Sequence, residues 1–217
     1  MDLTQFSPSS ALVTVVLLAL APFVAVMVTS FTKIVVVLNL LRNALGVQQI
    51  PPNLVLNGLA IILSIYVMYP VIQDMSQRIG ELDNIGQTSD SLLEAANVAK
   101  EPLRGFLIKH ADQRERDFFL KTIKKMLPPE RQETVSASDF IVIVPAFTVS
   151  ELTVAFKIGF LIFLPFIIID LVISNILMAM GMMMLSPTTV SLPFKLLLFV
   201  LIDGWIKLAH GLVLTYV

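Results

Sequence analysis

Cysteine is absent from this 217-residue chain, which excludes a disulfide scaffold, thiol catalysis and cysteine-ligated metal. Charge is scarce. Only 14% of the residues are Asp, Glu, Lys or Arg, against about a quarter in an ordinary soluble domain. The net charge is −1, so there is no electrostatic footprint for nucleic acid. Histidine is limited to His110 and His210, far apart in sequence. No P-loop, GxGxxG, HExxH or GxSxG element is present, so neither a nucleotide site nor a known hydrolytic centre is written in the chain. No enzyme, cofactor or metal is expected. What the chain has in abundance is apolar surface: 56% of its residues are hydrophobic and the mean hydropathy is +0.85. These values exclude a disordered segment and a simple soluble globule.

The few charges are unevenly placed. Residues 76–139 hold 21 of the 31 (10 basic, 11 acidic), and the remaining ten are scattered through the two flanks. The chain is therefore apolar, then polar, then apolar. Three units are expected: an N-terminal apolar helical hairpin (1–75), a polar helical insert (76–139) and a C-terminal apolar helical hairpin with a Met-rich loop (140–217). The expected fold class is all-α, of integral-membrane character.

Within the first flank, residues 11–31 and 53–72 are each about as long as a helix needs to cross a bilayer. The first is expected to be retained, because no basic residue precedes it as a secretory signal would require. The apolar run 34–41 between them is too short to span. The Gly, Asn, Gln and paired Pro of 42–53 read as an ordered turn. In the insert, Leu103, Phe106, Leu107 and His110 follow helical spacing, with Pro102 suited to a first turn. Phe118, Phe119, Ile123 and Met126 continue the pattern until Pro128 and Pro129 end it. Residues 79–91 read as a loop. In the second flank, 157–180 and 190–216 are the long candidates, joined by the breaker-rich 181–193. Basic residues gather on the cytoplasmic side of membrane proteins. Lys33, Arg42 and Lys195 flank the two short joints, which places those joints in the cytoplasm and the insert and termini outside.

The charges inside the flanks demand an explanation. Lys33 and Arg42 lie in the first, and Glu151, Lys157, Asp170, Lys195, Asp203 and Lys207 in the second. An ionised side chain at a bilayer centre costs about 2.5–3.5 kcal/mol on insertion scales. Such groups must pair, line water or face other subunits. Glu151 with Lys195, and Asp170 with Lys157, are possible pairs; a proton relay through Glu151 and Asp170 is the rival reading. The other local oddity is methionine: Met178, Met180, Met182, Met183 and Met184 fall within seven positions. Copper(I) binding, plain core packing and a deformable seal are the alternatives for so polarizable a cluster.

Three segments carry a family likeness: FTKIVVVLNLLRNALGVQQIPPN (31–53), PAFTVSELTVAFKIGFLIFLPFIIIDLVISNILMAMGMMMLSP (145–187) and SLPFKLLLFVLIDGW (191–205). In these the chain resembles the FliP/SctR family of type III secretion export-gate proteins. The resemblance implies a core subunit of the gate through which unfolded polypeptides leave the bacterial cytoplasm. It implies a homo-pentamer assembled with FliQ/SctS-type and FliR/SctT-type partners, in the inner membrane and largely on its periplasmic side. It implies that Met182, Met183 and Met184 form a pore constriction, the Met gasket, and that Glu151 and Lys195 form an ion pair between subunits. The resemblance favours the injectisome branch over the flagellar one, whose members usually carry a cleaved signal and a longer N-terminus. A proton-coupled secondary transporter and a structural assembly scaffold remain the rival functions.

Overall fold

A computed structural model describes residues 15, 19–20, 22–47, 49–80, 89–182 and 184–217. Among them the secondary structure is helical, with no strand. In chain order the helices are α1 (Pro22–Val28), α2 (Phe31–Leu45), α3 (Asn53–Gly80), α4 (Ser89–His110), α5 (Gln113–Met126), α6 (Phe140–Ala179), α7 (Pro187–Leu201) and α8 (Gly204–Leu214). A short 3-10 turn, Pro129–Thr134, links α5 to α6.

The short apolar run of the first flank turns out to be the centre of the molecule. Ile34, Val37, Leu38 and Leu41 of α2 are at most 1% exposed. They pack against Leu56 and Ala60 of α3, Ala155 and Phe166 of α6, Phe199 of α7 and Leu212 of α8. Hydropathy marked this run as too short to span by itself, and in the folded chain protein encloses it. A second core joins Val28, Met68, Phe106, Leu107, Ile143, Phe147 and Tyr216. Through Phe106 and Leu107, the apolar face expected in the insert docks on α6.

Part of the expected segment 11–31 lies outside the described residues, and α1, within its described part, ends at Val28. α1 and α2 meet at a 79° bend, and hydroxyl groups explain its position. Thr29 Oγ1 donates to Ala25 O and Thr32 Oγ1 to Val26 O, each at 2.8 Å, occupying carbonyls that the helix leaves unpaired where it breaks. The buried Ser30 hydroxyl donates to Ser64 Oγ at 3.0 Å and fastens the bend to α3. The last candidate, 190–216, is also broken: α7 and α8 meet at 60°. Asp203 sits at φ 54° in the left-handed region, which few non-glycine residues adopt. A Cβ on the following Gly204 would lie 2.2 Å from the Phe199 ring, so only glycine fits there.

α6 spans 40 residues and runs through Pro145 and Pro165 without interruption. At 1.5 Å per residue it is about 60 Å long, twice the ~30 Å hydrocarbon thickness of a bilayer. It begins well before the expected 157. Two other expectations shift: Pro102 lies inside α4 rather than at its start, and α3 continues to Gly80, so the expected loop 79–91 is helical at both edges. Residues 81–88 of that loop lie outside the described residues. α5 ends at Met126, before Pro128. By length and composition α3 and α6 can each cross a membrane, and the bent pairs raise the number to four if each is one span.

Candidate functional site

Two buried polar knots and one loop set the chemistry. The first knot lies where α2, α6 and the C-terminal residues meet. Lys33 Nζ donates to Glu151 Oε1 at 3.2 Å, with both side chains 3% exposed. The Tyr216 hydroxyl donates to the other carboxylate oxygen, Oε2. The same ammonium lies 3.7 Å from the Tyr216 ring centroid, where the ring's negative face attracts it. One residue earlier on α6, Ser150 Oγ accepts from the Asp112 N–H and donates to Ala146 O, each at 2.8 Å. That contact ties the α4–α5 corner to the same level.

His110 borders this knot. Its ring stands 4.7 Å from Phe106 and 5.0 Å from Tyr216. Burial, reinforced by the Lys109 and Lys33 charges, lowers its pKa from 6.5 to about 4. The folded chain therefore binds the proton less readily than the unfolded one. Its contribution to stability is complete above pH 6.5 and is lost as pH falls from there towards 4. The melting temperature of the detergent-solubilised protein should decline over that range, and His110→Phe should flatten the decline.

The second knot joins α6 to α7. Lys195 Nζ donates to Asp170 Oδ2 at 2.6 Å, and Ser191 Oγ donates to Asp170 Oδ1 at 2.5 Å. Lys195 also reaches Ala44 O, at 3.4 Å, near the end of α2. Asp170 is less enclosed, with its side chain 31% exposed against 5% for Lys195.

Within the protomer the expected partners do not meet. Glu151 pairs with Lys33 rather than Lys195, and Lys195 pairs with Asp170, leaving Lys157 apart. Glu151 and Asp170 stand 19 positions apart on α6, about 28 Å along its axis, each inside its own knot. Arg42 holds the α2–α3 joint through neutral groups: it donates to Asn53 Oδ1, to Asn39 Oδ1 at 3.1 Å and to Pro51 O at 3.5 Å. Lys157, Asp203 and Lys207 are exposed, with no ion pair among the described residues. Lys33 and Lys195 are thus buried partners rather than loop charges, and of the three residues in the orientation argument only Arg42 remains beside a joint. Tyr216 and Ser191 complete the knots and were not singled out in the sequence. The one signal for Ser191 was its place four residues before Lys195, on the same helical face.

The methionine loop caps the α6–α7 hairpin. α6 ends in a Schellman motif: the Gly181 N–H reaches Met178 O at 3.0 Å and the Met182 N–H reaches Leu177 O at 2.9 Å. Gly181 takes φ 73°, the left-handed conformation this motif requires. The backbone at Met182 is fixed by these bonds, while the side chains of Met178, Met180 and Met182 are 41–60% exposed and that of Met184 fully so. Met183 lies outside the described residues. Among the described residues no group of His, Asp and Glu could hold a metal ion.

Long apolar helices with apolar outer faces, and two ion pairs buried between them, define an α-helical membrane protein. The chain belongs to the FliP family, whose model matches residues 13–212. It is 54% identical to the Yop proteins translocation protein R of Yersinia pestis, over 92% of each chain. It is 51% identical to the hypersensitivity response secretion protein HrcR of Ralstonia nicotianae, over 96% of this chain and 97% of that one. It is 46% identical to the virulence protein YscR of Salmonella typhimurium, over 92% of each.

Proposed function

We propose that this chain is a core export-gate subunit of a bacterial type III secretion apparatus, and that its methionine loop is the seal. The near full-length likeness to secretion and translocation proteins carries the first half of this reading. The exposed thioethers on an anchored turn support the second. The subunit stands in the inner membrane, on the periplasmic side for much of its mass. It assembles as a pentamer with FliQ/SctS-type and FliR/SctT-type partners. Unfolded polypeptides pass through the ring. Much of the apolar surface of α3, α6, α7 and α8 then faces other subunits instead of lipid, which accounts for a helix twice as long as a bilayer is thick.

The gate must hold back ions and yield to a passing chain. Apolar constrictions exclude water and so block ions. Methionine is unbranched and polarizable and re-packs around varied shapes at little cost. Met182, Met183 and Met184 from each copy form such a ring, on hairpins held in place by the Asp170–Lys195–Ser191 knot. The chain itself carries no nucleotide motif, so the driving energy enters through other components. Replacing Met182, Met183 and Met184 together with Ala should raise ion leakage through the assembled apparatus, measured as dye or ion flux during secretion. Unchanged leakage with normal secretion would sink the seal.

A further inference from the structure

Glu151 and Lys195 each have an ion-pair partner within the protomer, and other charges of the apolar helices have none among the described residues. Among the described residues of the apolar helices, Glu151 and Asp170 are paired within the chain, and Asp74 near the end of α3 pairs with Arg78. Asp203, at the α7–α8 corner, is then the one acid of these described elements left without an ion pair. Lys157 is its counterpart: it is exposed on the outer face of α6, beside Val149, Leu152, Phe156 and Phe160 of the same helix. No acid among the described residues of its own protomer pairs with it. An ammonium set among aliphatic and aromatic side chains is costly unless a counter-charge arrives.

We infer that the Lys157 face of α6 on one protomer meets the α7–α8 corner of the next, with Lys157 bonded to the neighbour's Asp203. The inference rests on the gate reading, since it presumes a ring of copies, and names the polar contact of its seam. The two residues sit on different elements, α6 and the α7–α8 corner. A contact between them is heterologous, the kind that generates rings when its rotation closes. The left-handed turn at Asp203 holds its carboxylate on an exposed corner beyond the Gly204–Phe199 contact. Its own Lys207, one turn further on, has no ion pair among the described residues either. A carboxylate accepts through two oxygens, so Asp203 can serve the neighbour's lysine and its own. Around this ionic centre the exposed Phe156 and Phe160 of α6 and the exposed Val200, Leu201 and Ile206 of the corner supply the burial.

The test uses the full chain with its partner proteins, in detergent. Lys157→Asp and Asp203→Lys should each weaken the oligomer at least about tenfold, because like charges then face each other across the seam; the double reversal should restore most of the association. The cysteine-free sequence permits a second readout. Chains carrying Lys157→Cys, co-expressed with chains carrying Asp203→Cys, should be joined by a short bis-maleimide, and neither variant alone should be. Lys157→Met, which keeps the fold without the charge, should leave the protomer's helicity and melting unchanged while weakening association. Normal oligomers from both single reversals, or coupling of the Lys157→Cys chain only to a different partner protein, would overturn the inference. If the wild-type oligomer forms and obeys these charge rules but does not restore secretion to a strain lacking the subunit, the gate reading fails and the seam stands.

Discussion

Glu151→Ala should destabilise the folded chain by about 3–5 kcal/mol, the cost of breaking a buried ion pair by removing one partner. The substitution strands the Lys33 ammonium in a site 3% exposed and leaves the Tyr216 hydroxyl without its acceptor. Lys33→Met should cost a similar amount, since it strands the carboxylate. The pair Lys33→Met with Glu151→Gln should recover a large part of the loss, because no isolated charge remains and the glutamine still accepts from Tyr216. Tyr216→Phe removes one hydrogen bond and keeps the ring under the ammonium, so about 1.5–3 kcal/mol is expected for a bond to a charged group. Melting or denaturant curves of the solubilised protein measure all four. With Glu151→Gln measured alone as well, a double variant no better than the sum of Lys33→Met and Glu151→Gln would show that the knot is not a coupled unit.

The Asp170–Lys195–Ser191 knot should respond with a different asymmetry. Lys195→Met leaves Asp170 with the Ser191 hydroxyl and partial access to solvent, its side chain being 31% exposed, so water screens the orphaned charge. Asp170→Ala strands Lys195, whose side chain is 5% exposed and whose other acceptor is Ala44 O at 3.4 Å. The aspartate variant should therefore be the more damaging, approaching the roughly 3–5 kcal/mol of a fully buried break, with the lysine variant below it. Both should also raise ion leakage through the assembled gate, because the knot braces the hairpin that ends in the methionine loop. The accumulated level of each variant, read beside leakage, separates unfolding from displacement of the loop.

Much of the architecture was legible because it rests on patterns that operate over a few residues. The apolar–polar–apolar division follows from where 21 of the 31 charges lie. The docking face of α4 follows from Leu103, Phe106 and Leu107 at helical spacing, and the end of α5 from Pro128 and Pro129. The need for buried charges to pair was also readable, from the cost of isolating them. The choice of partners was not, since Lys33 meets Glu151 across 118 positions and Asp170 meets Lys195 across 25, and no local spacing encodes such a contact. α2 was undervalued because hydropathy measures the length of an apolar run and not whether protein surrounds it. The breaks at Thr29 and Asp203 depend on hydroxyl–carbonyl bonds and on the Gly204–Phe199 approach, which emerge only once the helices are packed.

On the export-gate reading the apolar flanks are mainly seams between protomers. Native mass spectrometry of the full chain, purified with FliQ/SctS-type and FliR/SctT-type proteins, should then show a ring of five copies bearing those partners after lipid and detergent are stripped. A single copy that sheds its partners and keeps only bound lipid would mean that the flanks face lipid instead.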